Sequence, residues 1–344
     1  MPCYTPLNAM RVSNGDGSHS ILFGDNLQDG EPLKLPCGQC IGCRLERSRQ
    51  WATRCLHESQ LHDLNCFVTL TFDDAHLPSD GSLNKSDLSD FMRRLRKFIA
   101  SPTIAKDYPN LYKRKVSFYS CGEYGEKFSR PHYHICLFNF DFPDKVLVNS
   151  KGPLYESEML SGLWSFGRHW IGDVTFESAA YVARYCTKKI TGRMAGSHYE
   201  RIDKLSGECV SVLPEFNLMS RRPGIATDWI KKYSRDVLNL DEVIVRGKKC
   251  RPSRFYDKYL EKNFPDDFEE LKIARAENVL RHSQSIDNSP SRLNVRHEVQ
   301  VLRNRNLSRS YEITGNGCDS DLVKRYDLRH VAAMKEYLKS KEEL

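Results

Sequence analysis

The run HYHICLFNF at residues 132–140 constrains this chain more than any other segment, because it reads as a buried strand yet carries two imidazoles one residue apart. Residues i and i+2 of a strand point to one face. His132 and His134 therefore project together, while Tyr133 and Ile135 point the opposite way into a core. The neighbouring segments supply partners for such a strand. CFVTLTF (66–72) alternates, with Val68, Leu70 and Phe72 on one face and Phe67, Thr69 and Thr71 on the other. KVSFYSCGEYG (115–125) runs as a strand into a glycine turn.

Between these strands, KSDLSDFMRRLRKFIA places Leu88, Phe91, Met92, Leu95, Phe98 and Ile99 at helical spacing, with Ser86 as the expected N-cap. Further on, ESEMLSGLW reads as a short helix, IGDVTF (171–176) as a strand, and SAAYVARYCTKKI (178–190) as a helix closed by Gly192. The order β-α-β-β-α-β plus one helix predicts an α+β fold, a ferredoxin-like antiparallel sheet with flanking helices. Three regions are expected: a Cys-rich leader and basic helix over 1–65, the sheet domain over 66–195, and a basic C-terminal region over 196–344. That last region reads as mainly helical and irregular, with a helix in DFEELKIARAENVLRHS and a linker-like SQSIDNSPSR.

Two imidazoles at strand spacing can chelate one divalent cation, leaving positions for a carboxylate, water and substrate. Glu123, at the end of the preceding strand, is the best placed third ligand, with Glu126 its competitor. In SAAYVARYCTKKI, Tyr181, Arg184, Tyr185 and Lys188 share one helical face. Ala179, Val182, Ala183, Cys186 and Ile190 form the opposite, sheet-packing stripe. Two phenols among two cations is the reverse of an ordinary core helix. The cations favour the phenolate, whose unperturbed pKa is about 10, and neutralise a phosphate under attack. A phenolate attacking a DNA phosphate would displace a 3′-hydroxyl and leave a 5′-phosphotyrosine, which conserves the bond for rejoining.

The charge distribution agrees with a nucleic-acid partner. Net charge is only +7, but FMRRLRKF, SRRPG, WIKKY and VRGKKCRPSR interleave cations with aromatics. After residue 196, Arg221, Arg222, Lys231, Lys232, Lys248, Lys249, Arg251 and Arg254 are candidate DNA contacts. No stretch approaches the roughly 18 apolar residues of a membrane span, and MPCYTPLNAM lacks the pattern of a secretory signal. A reducing cytoplasm is therefore expected, with the 12 cysteines serving as thiols or metal ligands. Cys37, Cys40 and Cys43 stand at C-x2-C-x2-C, with Cys3 available as a fourth thiolate for a structural zinc. Arg47 occupies the position where an iron–sulfur pattern would want a further cysteine.

FVTLTF, GEYGEKFSRPHYHI and YVARYCTKK, in that order, resemble the three motifs of the two-tyrosine rolling-circle replication initiators, which are HUH endonucleases. PCGQCIGCR, GEYGEKFSRPHYHICLF and SRRPGI resemble more narrowly the initiators of small single-stranded DNA phages, the gokushovirus branch of the microviruses. The likeness covers residues 37 to about 225. It implies His132 and His134 as metal ligands with Glu123 as the third, Tyr181 and Tyr185 as alternating nucleophiles, and Lys188 as phosphate support. Arg184 and Lys189 would contact DNA phosphates. The implied cofactor is Mg2+ or Mn2+. Implied partners are single-stranded phage origin DNA, held covalently, with host helicase and DNA polymerase, all in the bacterial cytoplasm. No GxxxxGK[ST] pattern is present, so unwinding falls to the host. Other readings are an HUH transposase or relaxase and a non-catalytic origin-binding protein. A histidine-triad hydrolase would need histidine at the position of Cys136.

Overall fold

The structure, a computed structural model, describes residues 3, 7–23, 30–38, 41–125, 129–149, 153–188, 199–202, 209–285, 295 and 299. Side chains at 41–42, 45, 149, 184–188, 201–202 and 282–285 lie outside that description. The chain divides into two units, one formed by Arg44–Val279 and the other by Met1–Cys43 with Leu280–Leu344.

Within Arg44–Val279 the centre is a seven-stranded antiparallel sheet. Its strands are β4 (Asn65–Thr71), β5 (Ser117–Tyr124), β6 (Pro131–Phe138), β7 (Val146–Asn149), β8 (Leu154–Glu156), β9 (His169–Gly172) and β12 (Phe216–Met219). They lie in the order β12-β5-β6-β4-β9-β8-β7. The inner four, with α2 (Lys85–Ile99) and α4 (Glu158–Leu163), follow the β-α-β-β-α-β sequence order read above. Strand β6 shows why both faces are covered. Tyr133, Ile135 and Leu137 join Val68, Leu70 and the Leu88, Phe91, Met92 and Leu95 stripe of α2 in one core. His134, Cys136 and Phe138 face the other side, where Cys136 and Phe138 meet Ala179, Val182 and Ala183 of α5 (Phe176–Lys188). The small residues of α5 let its backbone settle close to the sheet. Helix α1 (Ile41–Ser59) completes this layer, with Trp51 stacked on Tyr119 at 4.7 Å and Ser48 Oγ donating to Ala180 O.

Two boundaries differ from the sequence expectation. Strand β9 ends at Gly172 rather than extending over 171–176, because it is held by pairing with β4 from Leu70–His169 to Phe67–Gly172. Thr175 and Ser178 then exchange side-chain-to-backbone hydrogen bonds of 2.8 and 3.1 Å, a reciprocal cap that turns the β-branched Val174 and Thr175 into the start of α5. Helix α2 is capped by Asn84, whose Oδ1 accepts from the Ser86 amide, so Ser86 is a helical residue and not the cap. Gly192 lies outside the described residues.

Helix α3 (Pro102–Asp107) follows α2, and after β12 come α6 (Thr227–Leu240), α7 (Arg254–Asn263), α8 (Pro265–Ser285) and the β13–β14 hairpin (Val243–Val245, Lys248–Cys250). The last four build a third core around Trp229, Ile230, Val237, Tyr256 and Leu260. His57 of α1 enters it, stacked on Trp229 at 3.7 Å and hydrogen-bonded to Tyr256. A short pair, β10 (Glu200–Ile202) and β11 (Cys209–Ser211), precedes β12. Helix α8 runs through Ser285 of SQSIDNSPSR, and the rest of that stretch lies outside the described residues.

In the other unit, β1 (Leu7–Ser13), β2 (His19–Phe23) and β3 (Glu31–Leu35) form an antiparallel sheet in the order β2-β1-β3, which the sequence reading did not anticipate. Among the described residues, no helix is long and apolar enough to cross a membrane.

Candidate active site

Strand register assembles the centre. Glu123 of β5 pairs directly with His132 of β6, and His134 pairs with Cys121 on one side and Thr69 of β4 on the other. Glu123, His132 and His134 consequently share the α5 face of the sheet. His132 Nε2 lies 2.6 Å and His134 Nε2 2.9 Å from the same oxygen, Glu123 Oε1. Tyr181, from the first turns of α5, brings its hydroxyl to 3.2 Å from that oxygen and sets its ring edge-on to His134 at 5.0 Å. Three side chains from two elements, β6 and α5, thus converge on one carboxylate of β5.

The centre is enclosed. Glu123 is 2% and His134 6% exposed. Burial alone would raise the Glu123 carboxyl, but hydrogen bonds from His132 and His134 outweigh it and hold the pKa below the ordinary carboxylate value. Burial pushes His134 down against the pull of Glu123, so its neutral, ligand-competent form is favoured.

These residues fit a divalent cation. Their three ligand atoms lie within 4.8 Å of one another. Glu123 Oε2 is buried without a hydrogen-bond partner, although an unsatisfied buried carboxylate oxygen is costly. The outer nitrogens are held as metal ligands require. His132 Nδ1 lies 3.2 Å from the Arg130 carbonyl oxygen. His134 Nδ1 is held 3.0 Å from Thr69 Oγ1, and Phe67 stacks on the ring at 5.6 Å. Imidazoles suit zinc and the later transition ions and carboxylates suit magnesium and manganese, so the mixed set leaves the metal open.

Thr69 was not singled out from sequence, yet its position was visible: alternation in FVTLTF turns a polar residue to the histidine face. Arg130 was also missed. Its guanidinium bonds to Asp74 and, at 3.1 Å, to the Phe72 carbonyl, beside His132. Of the other predicted site residues, Arg184, Tyr185 and Lys188 lie on α5, with side chains outside the described residues. Glu126, Lys189 and Cys40 lie outside the described residues altogether. Cys3, Cys37 and Cys43 come together elsewhere, in the N-terminal unit.

Two of the basic candidates are held in ion pairs. Lys231 is paired with Asp228 and Lys249 with Glu242, each at 2.8 Å. Arg222, however, lines a pocket of about 410 Å3 with Arg96, Lys113, Arg114 and Lys115, and among the described residues no acidic side chain lines it. Cations from three separate stretches of sequence meet there.

Comparison with known proteins gives the family. The chain is 33% identical over 277 residues to the replication-associated protein VP4 of Bdellovibrio phage phiMH2K, covering 78% of this chain and 80% of that protein. This chain belongs to the phage replication-associated proteins. The replication-associated protein ORF2 of Spiroplasma virus 4 is 30% identical over 278 residues, 76% of this chain and 78% of its own length. ORF4 of Chlamydia phage 1, also a replication-associated protein, is 27% identical over 242 residues, covering 68% of this chain and 55% of its own length. Residues 65–190 match the family described as Replication-associated protein ORF2/G2P, a span containing Thr69, Glu123, both histidines and Tyr181. No solved structure matches. For this replication-associated protein, then, the carboxylate–histidine–tyrosine centre lies wholly inside the matched family segment.

Proposed function

We propose that the protein is a metal-dependent, site-specific single-strand DNA endonuclease and strand transferase that nicks the origin and starts rolling-circle replication of a circular phage genome. One observation carries this reading above the rest: the Tyr181 hydroxyl sits 3.2 Å from the carboxylate oxygen on which both histidines converge. A nucleophile beside a metal-binding triad is the arrangement that phosphodiester transfer needs.

Glu123, His132 and His134 would hold a divalent ion, which would supply Lewis-acid polarisation of the phosphoryl oxygens and stabilise the charge developing on them. The Tyr181 oxygen bonds to phosphorus as the P–O3′ bond breaks. The phenol loses its proton, O3′ gains one, and the products are a strand with a free 3′-hydroxyl and a 5′-phosphotyrosine. Attack by a 3′-hydroxyl on the phosphotyrosine reverses the step, so strands are rejoined without a nucleotide cofactor. Tyr185, one turn further along α5, serves as the second nucleophile, while Arg184, Lys188 and Lys189 neutralise the phosphate. Arg130, beside His132, and the pocket holding Arg96 and Arg222 are further contacts for the DNA backbone. The DNA must be single-stranded or locally unpaired to present its phosphate in an enclosed centre. The setting is the bacterial host cytoplasm, with host helicase and polymerase supplying unwinding and synthesis.

The test is incubation with labelled single-stranded origin DNA and Mn2+ or Mg2+, followed by denaturing electrophoresis. A covalent adduct is expected for the parent, and none for Tyr181→Phe combined with Tyr185→Phe or for His132→Ala combined with His134→Ala. An adduct that survives the double tyrosine substitution contradicts the nucleophile assignment. Origin binding with no adduct under any metal condition favours a binding protein without chemistry.

A further inference from the structure

The sheet of β1, β2 and β3 has almost nothing to hold it together by burial. Ala9 is its one buried residue, while Leu7, Ile21, Leu22 and Phe23 are between 45% and 62% exposed. Three short strands with one buried alanine fall well short of the packed face that such a sheet needs for independent stability. Small units in this position are generally stabilised by a cross-link or a metal.

The register shows where a cross-link belongs. Leu7 of β1 pairs with Leu35 of β3, so the chain enters β1 and leaves β3 at the same end of the sheet. Cys3 lies just before that entry and Cys37 just after that exit, and Cys43 is the third residue of α1. Their three sulfur atoms lie within 4.8 Å of one another, although Cys3 and Cys37 are 34 positions apart. In a tetrahedral thiolate site with Zn–S of about 2.3 Å, sulfur atoms stand roughly 3.8 Å apart, which this cluster accommodates. Two local features suit thiolates. The Cys37 amide donates to Cys3 Sγ at 3.3 Å, and Cys43 occupies the first turn of α1, where the helix dipole favours negative charge. Gly38, with φ of +74°, takes the left-handed conformation that turns the chain directly after Cys37.

We propose that Cys3, Cys37 and Cys43 are ligands of a structural zinc ion that staples the entry and exit of the N-terminal sheet to the start of α1; Cys40, which completes the C-x2-C-x2-C spacing, lies outside the described residues. The site is separate from the Glu123–His132–His134 centre in sequence and in donor chemistry. Its existence does not depend on the nuclease reading. An all-sulfur donor set is that of a structural zinc, so the ion takes no substrate. Binding releases the thiol protons and leaves the sulfur oxidation state unchanged.

The full-length protein, purified under reducing conditions, is tested by metal analysis and by replacing the metal with Co2+. About one zinc per chain is expected to remain after dialysis that strips the weaker divalent site. The Co2+ form is expected to show the intense sulfur-to-metal charge-transfer absorption of a tetrahedral thiolate centre, which nitrogen and oxygen donors cannot produce. That absorption should persist in His132→Ala combined with His134→Ala. It should weaken clearly in Cys3→Ser, which lies outside every helix and strand and removes one of the Co–S bonds, together with a loss of zinc affinity. Iron in place of zinc, a disulfide among these cysteines in the metal-free protein, or unchanged Co2+ absorption in Cys3→Ser overturns the assignment.

Discussion

Strand β6 in the seven-stranded sheet buries side chains on both faces, two helical layers covering them, whereas β1, β2 and β3 together bury Ala9 alone. Both are antiparallel sheets of ordinary hydrogen-bonded register. The difference is what opposes the chain entropy: packed apolar surface in one, and in our reading a metal cross-link in the other. The contrast also explains where chemistry can reside. A sheet clamped from both sides can hold Glu123, His132 and His134 to a fixed geometry, and rigid support is what a catalytic constellation requires.

Substitutions measure that contrast. The largest effect is expected for Ile135→Ala, which removes a fully buried side chain from the central core and should cost about 2–5 kcal/mol in urea unfolding. Next is a pH effect centred on His57. Burial pushes its pKa from 6.5 down to about 4 in the folded protein, so the native state keeps the ring neutral while the unfolded chain takes up a proton. The associated stability is full above about pH 6.5 and is lost as pH falls through the window from 6.5 to 4, by up to about 3 kcal/mol. Unfolding titrations of the parent against His57→Phe should show the slope in this window flatten. A smaller change is expected for Thr69→Val, which removes the hydroxyl beside His134 Nδ1. Metal affinity should fall 10–100-fold, about 1.4–2.7 kcal/mol, measured by calorimetric titration. The smallest belongs to the other sheet: Ile21→Ala, at a side chain 47% exposed, should change stability by less than about 0.5 kcal/mol. A cost there comparable to Ile135→Ala would mean that the N-terminal sheet is held by apolar contacts after all.

The same contrast governs what could be read from the sequence. Strands β4, β5 and β6 and helix α2 were legible because burial on defined faces writes a period of two or 3.6 into the residues. The histidine pair and Tyr181 were legible for the same reason, since each is a polar side chain on a face that periodicity had already assigned. The N-terminal sheet was not: LNAMRVS, HSILF and EPLKL bury almost nothing, so they carry no alternating signal. Strand β9 was misplaced by four residues at its end because Val174 and Thr175 have strand propensity but serve the α5 cap instead. The gathering of Arg96 with Arg222 depends on contacts between distant segments that no local pattern encodes, whereas Cys3 could be named beside Cys37 because cysteine chemistry, not periodicity, links them.

The proposal that Tyr181 attacks DNA beside the Glu123–His132–His134 centre is tested most directly by mass spectrometry of the trapped protein–DNA adduct. Digestion should yield a peptide carrying a 5′-nucleotide phosphate on Tyr181, or on Tyr185 one helical turn away, and formation of that peptide should require a divalent metal. A nucleotide found on a residue outside YVARYCTKK, or an adduct formed equally well in His132→Ala combined with His134→Ala, would contradict it.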